Sequence, residues 1–167
     1  MGRYRRRLPH IHETGQTMFV TFRLAGCLPE SRVFGKEVMG SGRSFVCMDR
    51  LLDDWDGGPV YLKIGEVAGV VEDGILRGAE ADYHLHAWVI MPNHVHLLMT
   101  TREELTGALR RLKGRTARGA NRVLGMRGAF WQAESYDRVV RSREEFGKVE
   151  SYILRNPVRA GGCPNRS

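Results

Sequence analysis

Six histidines in this 167-residue chain fall into three His-x-His pairs: His10 and His12, His84 and His86, His94 and His96. In a β-strand, residues i and i+2 point to the same face, so the two imidazoles of such a pair can converge on one divalent ion. His94–Val95–His96 is the sharpest of the three. The bland account of any pair is two half-buried strand histidines satisfied by their neighbours. A second feature lies near the C-terminus, where Tyr152 and Asn156 stand four residues apart, one turn from each other on a helix. Around that helix Phe146, Val149 and Ile153 define the buried stripe, and Tyr152 falls at its edge, where a ring can pack while its hydroxyl stays wet. Two imidazoles and one side-chain amide oxygen can hold a hard divalent ion with open positions, more suited to Mg²⁺ or Mn²⁺ than to a closed zinc site. Such an ion would polarise a phosphodiester oxygen, and a phenol beside it would become a competent nucleophile.

The elements that must position these groups are legible in the pattern. Thr17 to Leu24 alternates and is rich in β-branched and aromatic residues, the signature of a first strand. Residues 25–59 lack periodicity and end in the loop signal Asp53–Asp54–Trp55–Asp56–Gly57–Gly58–Pro59. From Val60 to Leu76, apolar residues recur at helical spacing. Tyr83 to Thr100 predicts two strands joined at Pro92–Asn93. Glu103 to Leu124 predicts a second helix, Tyr136 to Arg141 a fourth strand, and Ser142 to Arg155 a third helix capped by Ser142 and ended by Pro157. The order β, α, β, β, α, β, α predicts an α+β fold with a ferredoxin-like or RRM-like antiparallel sheet, helices packed on one face and the histidine pair on a central strand.

A two-residue turn at Pro92–Asn93 would set Met91 opposite His94, Val89 opposite His96 and Ala87 opposite Leu98. His84 and His86 would then occupy the other face of the sheet, which disfavours a four-histidine zinc site. A three-residue loop would reverse the parity and reopen it.

Charge points to the partner. The formal net charge is +7, and residues 102–167 carry 15 Lys and Arg against 7 Asp and Glu, whereas residues 1–101 carry 11 against 12. On the wheel of the second helix Arg111, Arg115, Arg118 and Arg122 cluster opposite the apolar stripe, and Arg5, Arg6 and Arg7 form a second cluster at the N-terminus. Two such clusters predict contact with a polyanion, nucleic acid before membrane. No segment approaches the ~20 apolar residues of a membrane helix, and three widely spaced cysteines give no disulfide or zinc pattern. The expectation is one soluble cytoplasmic domain over residues 1–167, with a basic arm at 1–16 and a long irregular connection at 25–59.

The run Ala87–Trp88–Val89–Ile90–Met91–Pro92–Asn93–His94–Val95–His96–Leu97–Leu98 resembles the HUH segment of the single-tyrosine transposases of small bacterial insertion sequences. Phe130–Trp131–Gln132, the run Ser135 to Arg141, and Tyr152–Ile153–Leu154–Arg155–Asn156–Pro157–Val158–Arg159 resemble the branch called REP-associated tyrosine transposases. The resemblance extends from the Thr17 strand to about Gly161. It implies an enzyme that cuts and rejoins single-stranded DNA beside small hairpins through a 5′-phosphotyrosine link, using Mg²⁺ or Mn²⁺. It further implies His94 and His96 as metal ligands, Tyr152 as the nucleophile and Asn156 as the third ligand, with Tyr136 a decoy in a strand motif. Just before Pro157, the Asn156 amide has capping as its other possible role. Relatives work as dimers or alone, so a monomer and a homodimer both stay open. The alternatives are a catalytically silent nucleic-acid-binding protein on the same fold and, further off, a small metallohydrolase of nucleotides.

Overall fold

The structure is a computed structural model that describes residues 13–27, 49–50, 54 and 57–160, the last four through their backbone. Arg5, Arg6, Arg7, the His10/His12 pair and most of the 25–59 connection lie outside the described residues. The elements are β1 (Thr17–Arg23), a 3₁₀ turn (Tyr61–Lys63), α1 (Gly65–Ala81), β2 (Tyr83–Ile90), β3 (His94–Thr101), α2 (Leu105–Leu124), β4 (Tyr136–Val139) and α3 (Arg143–Ala160). This is the order the sequence predicts. The four strands form one sheet in the order β2-β3-β1-β4, and every neighbouring pair is antiparallel. With α1 and α2 as the two crossovers, this is the split βαβ arrangement of a ferredoxin-like core.

The two faces of the sheet differ in purpose. On one, Tyr83 reaches α1, its hydroxyl donating to the Ile75 carbonyl at 2.7 Å. On the same face the ring of Phe22 meets Trp131 edge-on, with centroids 4.7 Å apart. The Trp131 indole N–H donates to Thr116 Oγ1 on α2 at 2.9 Å, and that hydroxyl donates on to the Leu112 carbonyl at 2.8 Å. α1 and α2 therefore cover this face together, as expected of the core. α3 does not join them: it crosses the opposite face, where Phe146 packs edge-on against His86 and Tyr152 against His96. Helices thus lie on both faces, because the third helix is an addition to the ferredoxin-like core.

Two helix boundaries depart from expectation for identifiable reasons. α1 begins after the 3₁₀ turn and runs on to Ala81, five residues past the predicted end. Its later turns carry Gly74 and Gly78, which face Thr116 and Tyr83 so closely that a Cβ would have no room. Glycine there costs helix propensity but lets α2 and the sheet approach. α3 continues through Pro157 instead of ending before it. A proline inside a helix removes one backbone donor, and here the helix carries on for three further residues. At its other end Ser142 Oγ accepts from the Glu145 N–H at 3.1 Å, the cap predicted from sequence. Glu145 in turn binds the Arg138 guanidinium at 2.6 Å and the Arg141 N–H at 2.8 Å, tying the start of α3 to the end of β4.

A Cβ placed on Gly74 would sit 2.3 Å from the Thr116 methyl group. Its contacts with the Trp131 indole and the carbonyls of Leu112 and Lys113 pin the Thr116 hydroxyl, so the side chain does not rotate aside freely. Gly74→Ala is expected to lower stability by about 1–3 kcal/mol, measured as a fall in the urea midpoint at unchanged slope.

Candidate active site

β3 is the second strand in the sheet, flanked by β1 and β2, so the residues alternating along it are shielded from both sides. His94 and His96 point to the α3 face and are fully buried. The Pro92–Asn93 turn is the two-residue form: the Met91 N–H donates to the His94 carbonyl at 2.8 Å, and Val89 pairs with His96. Each imidazole is held by its Nδ1 end. His94 Nδ1 donates to the amide oxygen of Asn93 at 2.6 Å, and His96 Nδ1 is hydrogen-bonded to Thr21 Oγ1 on β1 at 2.7 Å. An amide oxygen only accepts, so the Nδ1 of His94 carries the proton and, in the neutral ring, its Nε2 presents a lone pair.

The two Nε2 atoms lie 3.1 Å apart, and Oδ1 of Asp49 completes a triangle with them, 3.1 Å from His94 and 2.9 Å from His96. Asp49 is 3% exposed. Burial alone would raise its carboxyl, but the imidazoles of His96 and His94 hold it well below the usual carboxylate range. Among the described residues, Asp49, His94 and His96 form the one group of three such side chains whose ligand atoms converge enough to hold a metal ion. The donor set of two imidazoles and a carboxylate suits a divalent ion.

Asp49 escaped the sequence reading. It sits 45 residues before His94 in a stretch without periodicity that holds several other acidic residues, and nothing in its spacing distinguishes it.

Tyr152 stands beside this triangle, its ring centroid 5.9 Å from that of His96. It is half-buried and lines an open concavity of about 490 Å³ together with Glu144, Gly147, Lys148, Ser151 and Arg155. Asn156, one turn further along α3, stays helical and is 1% exposed. Neither its Oδ1 nor its Nδ2 has a hydrogen-bond partner among the described residues. A buried amide left in that state is costly, which fits a group whose partner arrives with an ion or substrate. Tyr136 differs from Tyr152: it is buried against Phe19, and burial pushes its phenol up from the ordinary value.

The His84/His86 pair is on the same face as His94 and His96, contrary to the expected parity. A β-bulge between Leu85 and Ala87 inserts His86 as an extra residue, so that His84 pairs with Thr100. The pair still stays out of the triangle. His86 is hydrogen-bonded to Thr100 Oγ1 at 2.8 Å and packs on Phe146, 5.0 Å between centroids, helping α3 to dock. Its imidazole is depressed by burial and by neighbouring His84.

The basic face of α2 lies across the sheet from the triangle. Arg118 and Arg122 are exposed and Arg115 half-buried. Arg111 is engaged in the fold, binding Asp82 at 3.0 Å and also Glu103.

Comparison with known proteins agrees with this geometry. Residues 75–156 match the family described as IS200-like transposase, a stretch that includes the histidine pair, Tyr152 and Asn156 but not Asp49. No curated protein matches the chain. Among solved structures, the chain is similar to a REP-associated tyrosine transposase bound to a REP hairpin, with 18% identity over 98% of this chain and 76% of that one and a TM-score of 0.57. That likeness shows a shared fold. A putative transposase from Deinococcus radiodurans R1 is also similar, at 12% identity over 95% of this chain and all of that one, with a TM-score of 0.43.

Because Asn93 fixes the His94 ring, Asn93→Ala is expected to weaken Mn²⁺ binding about 10- to 100-fold, read by titration calorimetry on folded protein. Unchanged affinity would mean that the strand alone orients the imidazole.

Proposed function

We propose that this chain, which belongs to the IS200-like transposase family, is a metal-dependent endonuclease and strand transferase that cuts and rejoins single-stranded DNA beside REP-like hairpins. The observation that carries the reading is the juxtaposition of a half-exposed tyrosine, Tyr152, with a buried set of divalent-ion ligands, His94 and His96 foremost.

The chemistry follows from what each group can do. The Tyr152 hydroxyl attacks the scissile phosphorus and releases its proton to solvent. A new bond forms between the phenolic oxygen and phosphorus, the bond to the 3′ oxygen breaks, and that oxygen takes up a proton to leave as a free 3′-hydroxyl. The 5′ end stays on the enzyme as a phosphotyrosine, and reversal of the step rejoins DNA without an outside energy source. A phenol with an ordinary pKa near ~10 is a weak nucleophile at neutral pH, so the site must stabilise the charge that develops on the phosphate. An ion held by His94 and His96, with Asn156 as a further ligand from α3, would be Mg²⁺ or Mn²⁺ and would supply that stabilisation. Tyr152 is favoured over Tyr136 because its hydroxyl is on a half-exposed residue lining an open concavity, whereas that of Tyr136 is buried. Lys148 and Arg155, on the same stripe of α3, would meet the phosphates on either side of the reacting one.

The remaining basic residues take the hairpin. Arg115, Arg118 and Arg122 on α2, with Arg5, Arg6 and Arg7 of the arm, are proposed backbone contacts, and Arg111 contributes by holding its helix as well as by charge. The proposed partner is single-stranded DNA carrying hairpins, bound by a monomer or a homodimer. No helix among the described residues is long and apolar enough to cross a membrane.

The test is a gel assay for covalent protein–DNA adduct on single-stranded hairpin oligonucleotides, with and without Mg²⁺ or Mn²⁺. The expected result is a metal-dependent adduct that Tyr136→Phe retains and Tyr152→Phe abolishes. An adduct that survives Tyr152→Phe would overturn the nucleophile, and tight hairpin binding with no adduct under any condition would favour a silent DNA-binding protein.

A further inference from the structure

We propose that Asp49 is a ligand of the divalent ion, joining His94 and His96. The inference rests on the metal-dependent reading above and deepens it, because neither the histidine motif nor the family match at residues 75–156 reaches Asp49.

The argument starts from the triangle with edges of 3.1, 3.1 and 2.9 Å. Protons cannot satisfy it. Each Nε2 atom either donates or accepts, and an ionised carboxylate oxygen only accepts, so with three mutual contacts at least one sets like against like. If both imidazoles donate to Asp49, two N–H groups confront each other across 3.1 Å. If only one donates, the other turns a lone pair towards the carboxylate. A single cation accepts all three lone pairs at once. The dimensions agree as well: three mutually adjacent ligands of an octahedral ion with bonds of about 2.1 Å stand about 3.0 Å apart.

The surroundings support that reading. Asn93 and Thr21 occupy the Nδ1 ends of the imidazoles and leave Nε2 for the ion. The carboxylate reduces the net charge of the filled centre, and it adds an oxygen ligand of the kind Mn²⁺ and Mg²⁺ prefer. None of the three ligands comes from α3. Asn156, whose amide is buried without a partner among the described residues, belongs to that helix together with Tyr152. Asp49 and the two histidines therefore supply three ligand atoms from outside the helix that carries Tyr152.

The test is a titration of the full chain with Mn²⁺ in the absence of DNA, followed by the loss of the free-ion electron paramagnetic resonance signal. Wild type is expected to bind one equivalent, and Asp49→Ala at least about tenfold more weakly. Circular dichroism reports folding, and if Asp49→Ala does not fold, Asp49→Asn serves in its place with the same expectation. Wild-type affinity in the folded Asp49 variant would overturn the inference while leaving metal dependence intact. A wild-type chain that binds no Mn²⁺ yet forms the adduct without metal would instead overturn the reading on which it rests.

Discussion

Two imidazoles and a carboxylate are packed together out of reach of water on the central part of a β-sheet, and most of the local structure follows from that constraint. Burying ionisable groups costs several kcal/mol each unless they are paired and hydrogen-bonded. The fold meets the demand from three directions. β1 supplies Thr21, the turn before β3 supplies Asn93, and Asp49 approaches from a segment far away in sequence. The two faces of the sheet divide the work accordingly: α1 and α2 close the apolar side, and α3 brings a tyrosine to the polar side.

The placement of Tyr152 on a separate helix has a mechanical consequence. α3 is fastened to β4 through Glu145 and Arg138, and to β2 through Phe146 and His86. Those contacts are with side chains, whereas the histidine strand is fixed by ladder hydrogen bonds on both sides. Tyr152 and the two histidines are thus held by different kinds of contact.

Much of this was legible in the sequence because the controlling patterns are short-range. Alternation along Thr17 to Leu24 and along His94 to Thr101, apolar spacing in α2, and Ser142 before Glu145 each specify an element from neighbouring residues. The Pro92–Asn93 sequence signals a tight turn, and of the two lengths it allows, the two-residue one pairs Val89 with His96, as the fold does. The failures have equally physical causes. The bulge at His86 inserts one residue within an ordinary-looking strand, with no glycine or proline to announce it, and it reverses the face of His84. Pro157 disfavours a helix locally, but α3 runs through it to Ala160. Asp49 is invisible because the feature that distinguishes it, proximity to two histidines 45 and 47 positions later, exists only in the folded chain.

The central claim is that one divalent ion, held on the sheet, serves a tyrosine held on α3. The most direct measurement is an anomalous difference map from crystals of the full chain grown with Mn²⁺. The account predicts a single strong peak bounded by Oδ1 of Asp49 and the Nε2 atoms of His94 and His96, on the side of the sheet that carries Tyr152. A peak at any other group of residues, or none at saturating Mn²⁺, would contradict it.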